Sequence, residues 1–244
     1  MKYGLLKLST IALVLGCSAA YASDDASVIP TQEPGFALNI TGLYLQPSAS
    51  NLEYAVYTTP LPLPAPNWEQ ESVSPGYSGA FDLGLQYNLM NGTENVKLDW
   101  LHFSSNDSDG VDSAPNTSVG PTFYYGPLEQ FLLNTGATST VTFKLDNGNL
   151  VFGHLVNLTN NIQIEPFAGF SAVYLRENID SSYWGKDPVT GPYSHSVETK
   201  SNFVGFGPRL GLDGSYFITK RFAITEGIAG DLLSGYVHNS TDFV

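Results

Sequence analysis

Cysteine is almost absent from this sequence, because Cys17 is the only one in 244 residues. It lies in segment 1–22, where a basic start, a short apolar stretch and Ala20-Tyr21-Ala22 predict a signal peptide cleaved after Ala22. The mature chain then contains no cysteine, so no disulfide stabilises it in an oxidising compartment. Val14-Leu15-Gly16-Cys17 also matches a lipoprotein box, but Leu15 fits that pattern poorly and simple cleavage is favoured.

Basic residues are scarce as well, with 10 Lys and Arg against 23 Asp and Glu and a formal net charge of −13. Loss of Lys2 and Lys7 with the signal peptide lowers this to −15 (−13 − 2). Nucleic-acid binding needs clustered Lys and Arg on the phosphates, so the charge balance argues against such a partner.

Long apolar runs are missing from the mature chain, which excludes transmembrane helices of about 20 apolar residues. Aromatic residues make up 13% of the sequence and there are 24 glycines. This composition is typical of short strands with aromatic girdles rather than of a disordered chain. Residues 23–34, with several Asp and Pro, are predicted to be a flexible lead-in before the strands begin at Gly35.

Alternation of apolar and polar residues indicates β-strands, most clearly over 77–89, where odd positions are apolar and even positions are small or polar. In segment 140–156 the apolar phase shifts around Asn147-Gly148-Asn149, which predicts a bulge or an extra bend. In segment 222–236 the pattern is weakest, because Glu226 falls in the apolar phase. Seven such segments are predicted: 35–46, 77–89, 95–103, 140–156, 162–176, 202–216 and 222–236.

The connections between these segments alternate between short and long. Tight turns are predicted at 89–94, 158–161 and 217–221. Long segments at 47–76, 104–139 and 177–201 are rich in Pro, Ser, Asn and Asp and are predicted to be solvated loops. This alternation is typical of an outer-membrane barrel with short periplasmic turns and long extracellular loops. One acidic stretch, 106–112, lacks the EF-hand spacing and is interpreted as part of a solvated loop rather than as a calcium site.

Residues 35–244 are therefore predicted to form an all-β, antiparallel transmembrane β-barrel, because an open sheet edge in hydrocarbon leaves backbone groups unpaired. Seven strands are countable and at least eight are expected, since single-chain bacterial barrels have even strand numbers. Either a strand within Pro121–Leu133 or Asn51–Thr58 escapes the pattern, or the barrel is truncated at the C-terminus. Truncation is the favoured alternative.

Six charged residues fall on the polar face of the predicted strands. They either set ion selectivity through their local fields or pair with one another in a filled interior, and the sequence does not separate these roles. They are Asp82, Lys97, Asp99, Glu165, Arg209 and Asp213.

No enzymatic, cofactor or metal site is expected. His102 could act as a catalytic base with Asp99 nearby. The two residues have opposite strand parity, however, so they should point to opposite faces. There is no Gly-x-Ser-x-Gly elbow and no zinc-ligand spacing. Gly205 to Gly211 also fails the spacing of a nucleotide-binding loop.

Three segments resemble the Legionella-type major outer membrane proteins. They are Leu43-Tyr-Leu-Gln-Pro47, Phe152-Gly-His154 before a short Asn-rich turn, and Gly205-Phe-Gly-Pro-Arg209-Leu-Gly211, the most specific of the three. The resemblance spans roughly residues 35–236 and implies a porin-like protein of the cell outer membrane with surface-exposed loops, some relatives of which contact host cells.

We therefore expect passive diffusion of ions or small hydrophilic solutes through a polar lumen, with outer-membrane lipid around the barrel. The alternative is a surface-exposed adhesin or interaction protein that uses acidic extracellular loops to bind a partner such as a host-cell surface, with the barrel as its anchor. A soluble lipocalin-like carrier with its apolar face inward is a third, less favoured class.

Overall fold

The computed structural model describes residues 7–11, 28–30, 32–58, 68–114, 117–122, 134–187 and 189–243, and all regular structure there is β-strand. No helix in these ranges is long and apolar enough to cross a membrane. The predicted cleavage site and Cys17 lie outside them. The thirteen strands are β1 Lys7–Ile11, β2 Gly35–Ser48, β3 Glu53–Thr58, β4 Trp68–Ser72, β5 Ser78–Asn88, β6 Glu94–Asp112, β7 Ser118–Pro121, β8 Asn134–His154, β9 Val156–Asn157, β10 Ile162–Asp187, β11 Gly191–Thr219, β12 Phe222–Asp231 and β13 Ser234–Phe243.

The main sheet is antiparallel and curls into a half-barrel in the order β1-β2-β5-β6-β8-β10-β11-β12. β13 pairs with the same edge of β11 as β12, so the two form one strand interrupted at Leu232 and Leu233. β9 likewise continues β8 along β10 after a break at Leu155. The long strands of the sheet therefore match the seven predicted segments. β1, within the predicted signal peptide, runs along residues 44–48 of β2.

The three predicted tight turns are confirmed. In the first, the backbone N–H of Leu89 donates to the carbonyl of Glu94 at 2.9 Å, and Gly92 has a φ of 69°. In the second, Leu158 donates to Ile162 at 2.9 Å. In the third, only Lys220 and Arg221 separate β11 from β12.

Two of the segments predicted to be long loops, 104–139 and 177–201, are in contrast largely strand where the structure describes them, because the flanking strands continue into them. β6 extends to Asp112, so the acidic stretch 106–112 is strand rather than loop. Segment 177–201 is a hairpin that turns between Asp187 and Gly191. β10 has 26 residues and β11 has 29, whereas about 9–11 suffice to cross a membrane. The strands remain regular beyond that length because β10 forms ladders with β11 as far as Asp187 and with β8 as far as Gly185.

A second sheet contains three short strands in the order β4-β3-β7. β3 covers most of Asn51–Thr58, so that segment does form a strand, but it is not a strand of the barrel. Of the other suspected segment, Pro121–Leu133, only residues 121–122 are described, and β7 ends at Pro121.

The outer surface of the half-barrel is apolar near the tight turns. Side chains alternate between the two faces of each strand, and the outward set is large, hydrophobic and exposed. This set is Phe36, Leu38, Ile40, Tyr44, Phe81, Leu83, Leu85, Tyr87, Val96, Leu98, Trp100, Leu150, Phe152, Phe170, Val204, Phe206, Leu210, Leu212, Tyr216, Ile224 and Ile228. We call it the lipid-facing band.

Farther from the tight turns, the apolar side chains change to the inner face. In β8, Leu150 and Phe152 point outward, whereas Val141 and Phe143 point inward and are buried. In β6, Trp100 points outward and Phe103 inward, and β2, β10 and β11 show the same change. The strands therefore exchange their apolar face where they leave the lipid-facing band.

This exchange replaces the bulge predicted at Asn147-Gly148-Asn149, which was wrong. The register between β6 and β8 is continuous from Glu94 opposite His154 to Asp112 opposite Gly136. Between β8 and β10 the only register shift lies at Trp184 and Gly185, near the far end of the hairpin. The change of phase thus reflects a change of surroundings and not an extra residue.

A charge placed within the lipid-facing band should destabilise the protein far more than one placed beyond it on the same face of the same strand. We expect Leu98→Lys to lower the free energy of unfolding in phospholipid vesicles by about 2–4 kcal/mol, and Ser104→Lys by about 0–1 kcal/mol. Denaturant unfolding followed by tryptophan fluorescence measures both. Equal losses would contradict this placement of the membrane.

Candidate functional site

The six charged residues singled out from the sequence all lie on the inner face of the half-barrel, within the height of the lipid-facing band. Three of them come together: the Lys97 ammonium lies 2.7 Å from Oε1 of Glu165 and 3.5 Å from Oδ2 of Asp213. Glu165 and Asp213 are directly opposite one another on β10 and β11. The cluster therefore places one cation between two carboxylates.

This contact bridges two strands that are not neighbours, because Lys97 is on β6, Glu165 is on β10, and β8 lies between them. Gly153 on β8 makes the bridge geometrically feasible. A Cβ at that position would collide with the Glu165 carboxylate and would crowd Oδ1 of Asn95. The glycine is thus required by the path of the ion pair across the sheet.

Arg209 forms a second ion pair, with Asp231 on β12. Its Nη1 donates to Oδ1 at 3.0 Å and to Oδ2 at 2.8 Å, and the two residues are opposite one another in the ladder. The guanidinium carbon lies 5.9 Å from the centre of the Phe167 ring. Asp231 was not singled out from the sequence, although it has the same inward parity as the odd positions 223, 225, 227 and 229 of its strand.

Asp82 and Asp99 lie beside one another on β5 and β6. Gly84 makes room for Asp99, because a Cβ there would meet Oδ1 of that carboxylate. Among the described residues, neither aspartate forms an ion pair. Counting Lys97 and Arg209 against Asp82, Asp99, Glu165, Asp213 and Asp231 gives a formal charge of −3 (2 − 5) on this part of the inner face.

Uncharged polar side chains fill the space between these charges. Nε2 of Gln163 donates to Oδ1 of Asn157 at 2.8 Å, and the Ser171 hydroxyl donates to Oδ1 of Asn147 at 3.0 Å. Asn95 is fully buried, and its amide atoms have no hydrogen-bond partner among the described residues. The inner face at the height of the lipid-facing band is therefore mainly polar, with a few apolar side chains such as Phe167 and Val151 among the charges.

Beyond the band, the small sheet packs on the inner face of the half-barrel. One hydrophobic cluster joins Tyr54, Ala55 and Val119 of the small sheet to Phe103 and Phe143 of the large one. This arrangement was not predicted from the sequence. The sequence indicates it only through apolar residues of β6 and β8, such as Phe103 and Phe143, that occupy inward positions where the rest of the strand is polar.

A buried tyrosine pair fixes the small sheet to the hairpin of β10 and β11. The Tyr183 hydroxyl donates to the backbone carbonyl of Tyr54 at 2.5 Å. Burial raises the pKa of both tyrosines to about 12. Tyr183 therefore remains protonated, and able to donate, throughout the physiological pH range.

His102, considered from the sequence together with Asp99 as a candidate enzymatic pair, lies on the opposite face from this site. His102 points outward, and its Nδ1 lies 2.7 Å from Oδ1 of Asp146, which also accepts from Nε1 of Trp100 at 3.2 Å. Asp99 points inward and does not reach it. Within the described part of the chain, no three His, Cys, Asp or Glu residues are arranged to hold a metal ion.

Every strand except β1 lies in the part of the chain that matches one known family. The sequence profile described as Legionella pneumophila major outer membrane protein precursor matches residues 28–244. The chain belongs to this family. The resemblance carried by residues 43–47, 152–154 and 205–211 is thereby confirmed, and the half-barrel is the fold of an outer membrane protein. No curated protein and no solved structure matches the chain.

In this member of the major outer membrane protein family, loss of Lys97 should leave two inner-face carboxylates without their cation. We expect Lys97→Met to lower the free energy of unfolding by about 1–3 kcal/mol. The loss is smaller than for a fully buried ion pair, because the side chains of Lys97 and Glu165 remain 17% and 11% exposed. Denaturant unfolding in detergent micelles or vesicles measures this.

The double variant Lys97→Met/Glu165→Gln should recover at least half of that loss, since it removes the unpaired carboxylate as well. Lys186→Met, at an exposed position near the end of β10, serves as the control for loss of one lysine. A double variant that is no more stable than Lys97→Met would show that the pair is not coupled.

Proposed function

We propose that this outer membrane protein is porin-like and lets small hydrophilic solutes, cations preferentially, diffuse passively along its inner face. The observation that carries the proposal is the contrast between the two faces of the same strands. Leu98 and Trp100 point outward and are exposed, whereas Lys97 and Asp99, which alternate with them along β6, point inward. A polar lumen within an apolar exterior replaces part of a solute's hydration and needs no chemical step, cofactor or metal.

Completion of the lumen requires both edges of the sheet to be paired. Among the described residues, β2 has no second neighbour over residues 35–43, and β12 and β13 have none on their outer side. Unpaired backbone groups in hydrocarbon cost several kcal/mol each. We therefore propose a closed barrel in the membrane, exported by a signal peptide that is cleaved after Ala22, with the tight turns on the periplasmic side.

Cation preference follows from the distribution of charge in the proposed lumen. The two cations are paired, Lys97 with Glu165 and Arg209 with Asp231. Asp82 and Asp99 have no such partner among the described residues, so their negative fields remain to attract cations and repel anions. The small sheet, packed against the inner face beyond the lipid-facing band, would narrow the outer part of the path.

Planar-bilayer recording of the refolded mature protein tests the proposal. We expect discrete channels with a cation-to-anion permeability ratio above one. Asp82→Asn/Asp99→Asn should lower that ratio at least about twofold, because two unpaired carboxylates leave the lumen. The reversal potential in a salt gradient gives the ratio.

Glu226→Gln is the matched control, because Glu226 lies in the outward phase of β12 and is exposed. Its removal should leave the ratio unchanged. Channels without selectivity, or an equal effect of Glu226→Gln, would count against the assignment of Asp82 and Asp99 to the lumen.

Adjacent cysteines can test which face is wet, since the mature chain would contain no cysteine of its own. Asp82→Cys places a thiol on the inner face, and Leu83→Cys places one in the lipid-facing band. A charged, membrane-impermeant thiol reagent should reduce the current through Asp82→Cys channels and leave Leu83→Cys channels unaffected. The opposite pattern would mean that the two faces are assigned the wrong way round.

The alternative proposal is a surface-interaction protein whose barrel is only an anchor. It is favoured by the exposed carboxylates far from the tight turns, among them Glu53, Glu69, Asp109 and Asp112. Such a surface suits a basic partner, for instance on a host cell. Refolded protein that forms no channels, but binds cells through these carboxylates, would decide for the alternative.

A further inference from the structure

Two cations lie directly opposite one another on the outward face of the half-barrel. Lys144 on β8 and Arg176 on β10 are register partners, and both are exposed. Their neighbours in sequence, Phe143 and Glu177, point to the inner face. These are two of the eight basic residues left once Lys2 and Lys7 are discounted from the 10 in the chain. Their meeting on one surface is therefore notable in a strongly acidic protein.

The pair lies at the outer limit of the lipid-facing band. On β10, Arg176 follows Tyr174, two residues farther along the same face, and the outward positions before it are Phe170 and Ala172. On β8, the last outward apolar residue is Leu150, and Lys144 follows beyond Asp146. Tyrosine and tryptophan are typical of the interface between hydrocarbon and water. With the tight turns on the periplasmic side, this depth is that of the outer-leaflet head groups.

Like charges directly opposite in a sheet destabilise it unless a counter-ion offsets them. The nearby carboxylates are already engaged. Asp146 accepts from Trp100 and lies against His102, and Glu198 lies 2.6 Å from the Lys200 ammonium. In the described part of the chain, no carboxylate forms an ion pair with Lys144 or Arg176. Lys144 and Arg176 thus form a pair of exposed cations without an ion-pair partner among these residues.

One further contact fixes the guanidinium in place. Nε of Arg176 donates to Oδ1 of Asn202 on β11 at 2.9 Å. Lys200 lies one outward position beyond Asn202 on that strand and adds a third cation nearby, although Glu198 already neutralises it. A guanidinium held at one nitrogen, beside an ammonium, matches the tetrahedral and multiply charged oxygens of a phosphate.

We propose that Lys144 and Arg176 bind the phosphate of a phosphorylated glycolipid in the outer leaflet. The acyl chains of that lipid would lie along the outward side chains of the rows below, Tyr174 and Val204 first and then Phe206 and Phe170, while its phosphate bridges the two cations. A lipid fits better than free phosphate because the cations are continuous with the lipid-facing band. The inference rests on the membrane orientation proposed above but not on solute diffusion.

Thermal unfolding of the refolded mature chain in neutral detergent tests this inference. The probes are diphosphorylated lipid A, the same lipid with its phosphates removed, and inorganic phosphate. We expect only the phosphorylated lipid to raise the unfolding midpoint in a saturable manner, and high salt to weaken the effect. Stabilisation by dephosphorylated lipid or by inorganic phosphate to the same extent would overturn the proposal.

The variant Lys144→Gln/Arg176→Gln should bind the phosphorylated lipid about tenfold more weakly or worse, as expected for the loss of two cations near an anionic surface. Lys220→Gln/Arg221→Gln removes the same charge at the opposite end of the strands and should bind normally. If only the latter variant loses binding, the orientation is reversed and the inference fails, whether or not the protein conducts.

A single change guards against a double variant that fails to fold. Lys144→Gln alone, at an exposed position, should leave folding intact and weaken binding about threefold or more. Unchanged affinity in a folded Lys144→Gln protein would overturn the role of the pair. None of these measurements depends on channel activity, so loss of the proposed diffusion function would be distinguishable from loss of this site.

Discussion

The constraint on which the rest of this structure depends is that every backbone N–H and C=O inside hydrocarbon needs a partner within the protein. The long antiparallel ladders meet it over most of the sheet. β10 pairs with β11 from Ile162 to Asp187 and with β8 over most of the same length. Because the ladder is made by the backbone, it places no demand on the side chains. They can therefore be apolar on the face toward lipid and polar on the inner face. The fold therefore needs no disulfide.

The charged inner face follows from this freedom, but its details depend on the spacing of the strands. Lys97 and Glu165 belong to strands that are second neighbours, and they meet because Gly153 leaves the intervening strand without a side chain. Ion pairs of this kind lower the cost of holding charges in a confined space. Asp82 and Asp99, in contrast, form no ion pair among the described residues. The same face thus contains both paired and unpaired charges.

Strand positions, tight turns and the inward placement of the charged residues were accessible from the sequence, because each depends on a period of two or on a few adjacent residues. The small sheet was not. β3 and β7 are 6 and 4 residues long, too short to show a clear alternation, and they pair across a long separation in the chain. The hydrogen bond from Tyr183 to Tyr54 spans 129 residues. Contacts of that range leave no local pattern.

The lengths of the strands were underestimated for a related reason, namely that one apolar phase was assumed to persist along each strand. A strand in this protein extends beyond the lipid, and the surroundings of both of its faces change there. The outward face then meets water, and the inward face meets the small sheet. Leu150 and Phe143 on β8 each face apolar surroundings, Leu150 the lipid and Phe143 the small sheet, and they therefore point in opposite directions. A shift of apolar phase without a break in register therefore marks the height at which the strand leaves the membrane. Tyr174, Lys144 and Arg176 lie at that height, which is why an interface-specific ligand is to be sought there.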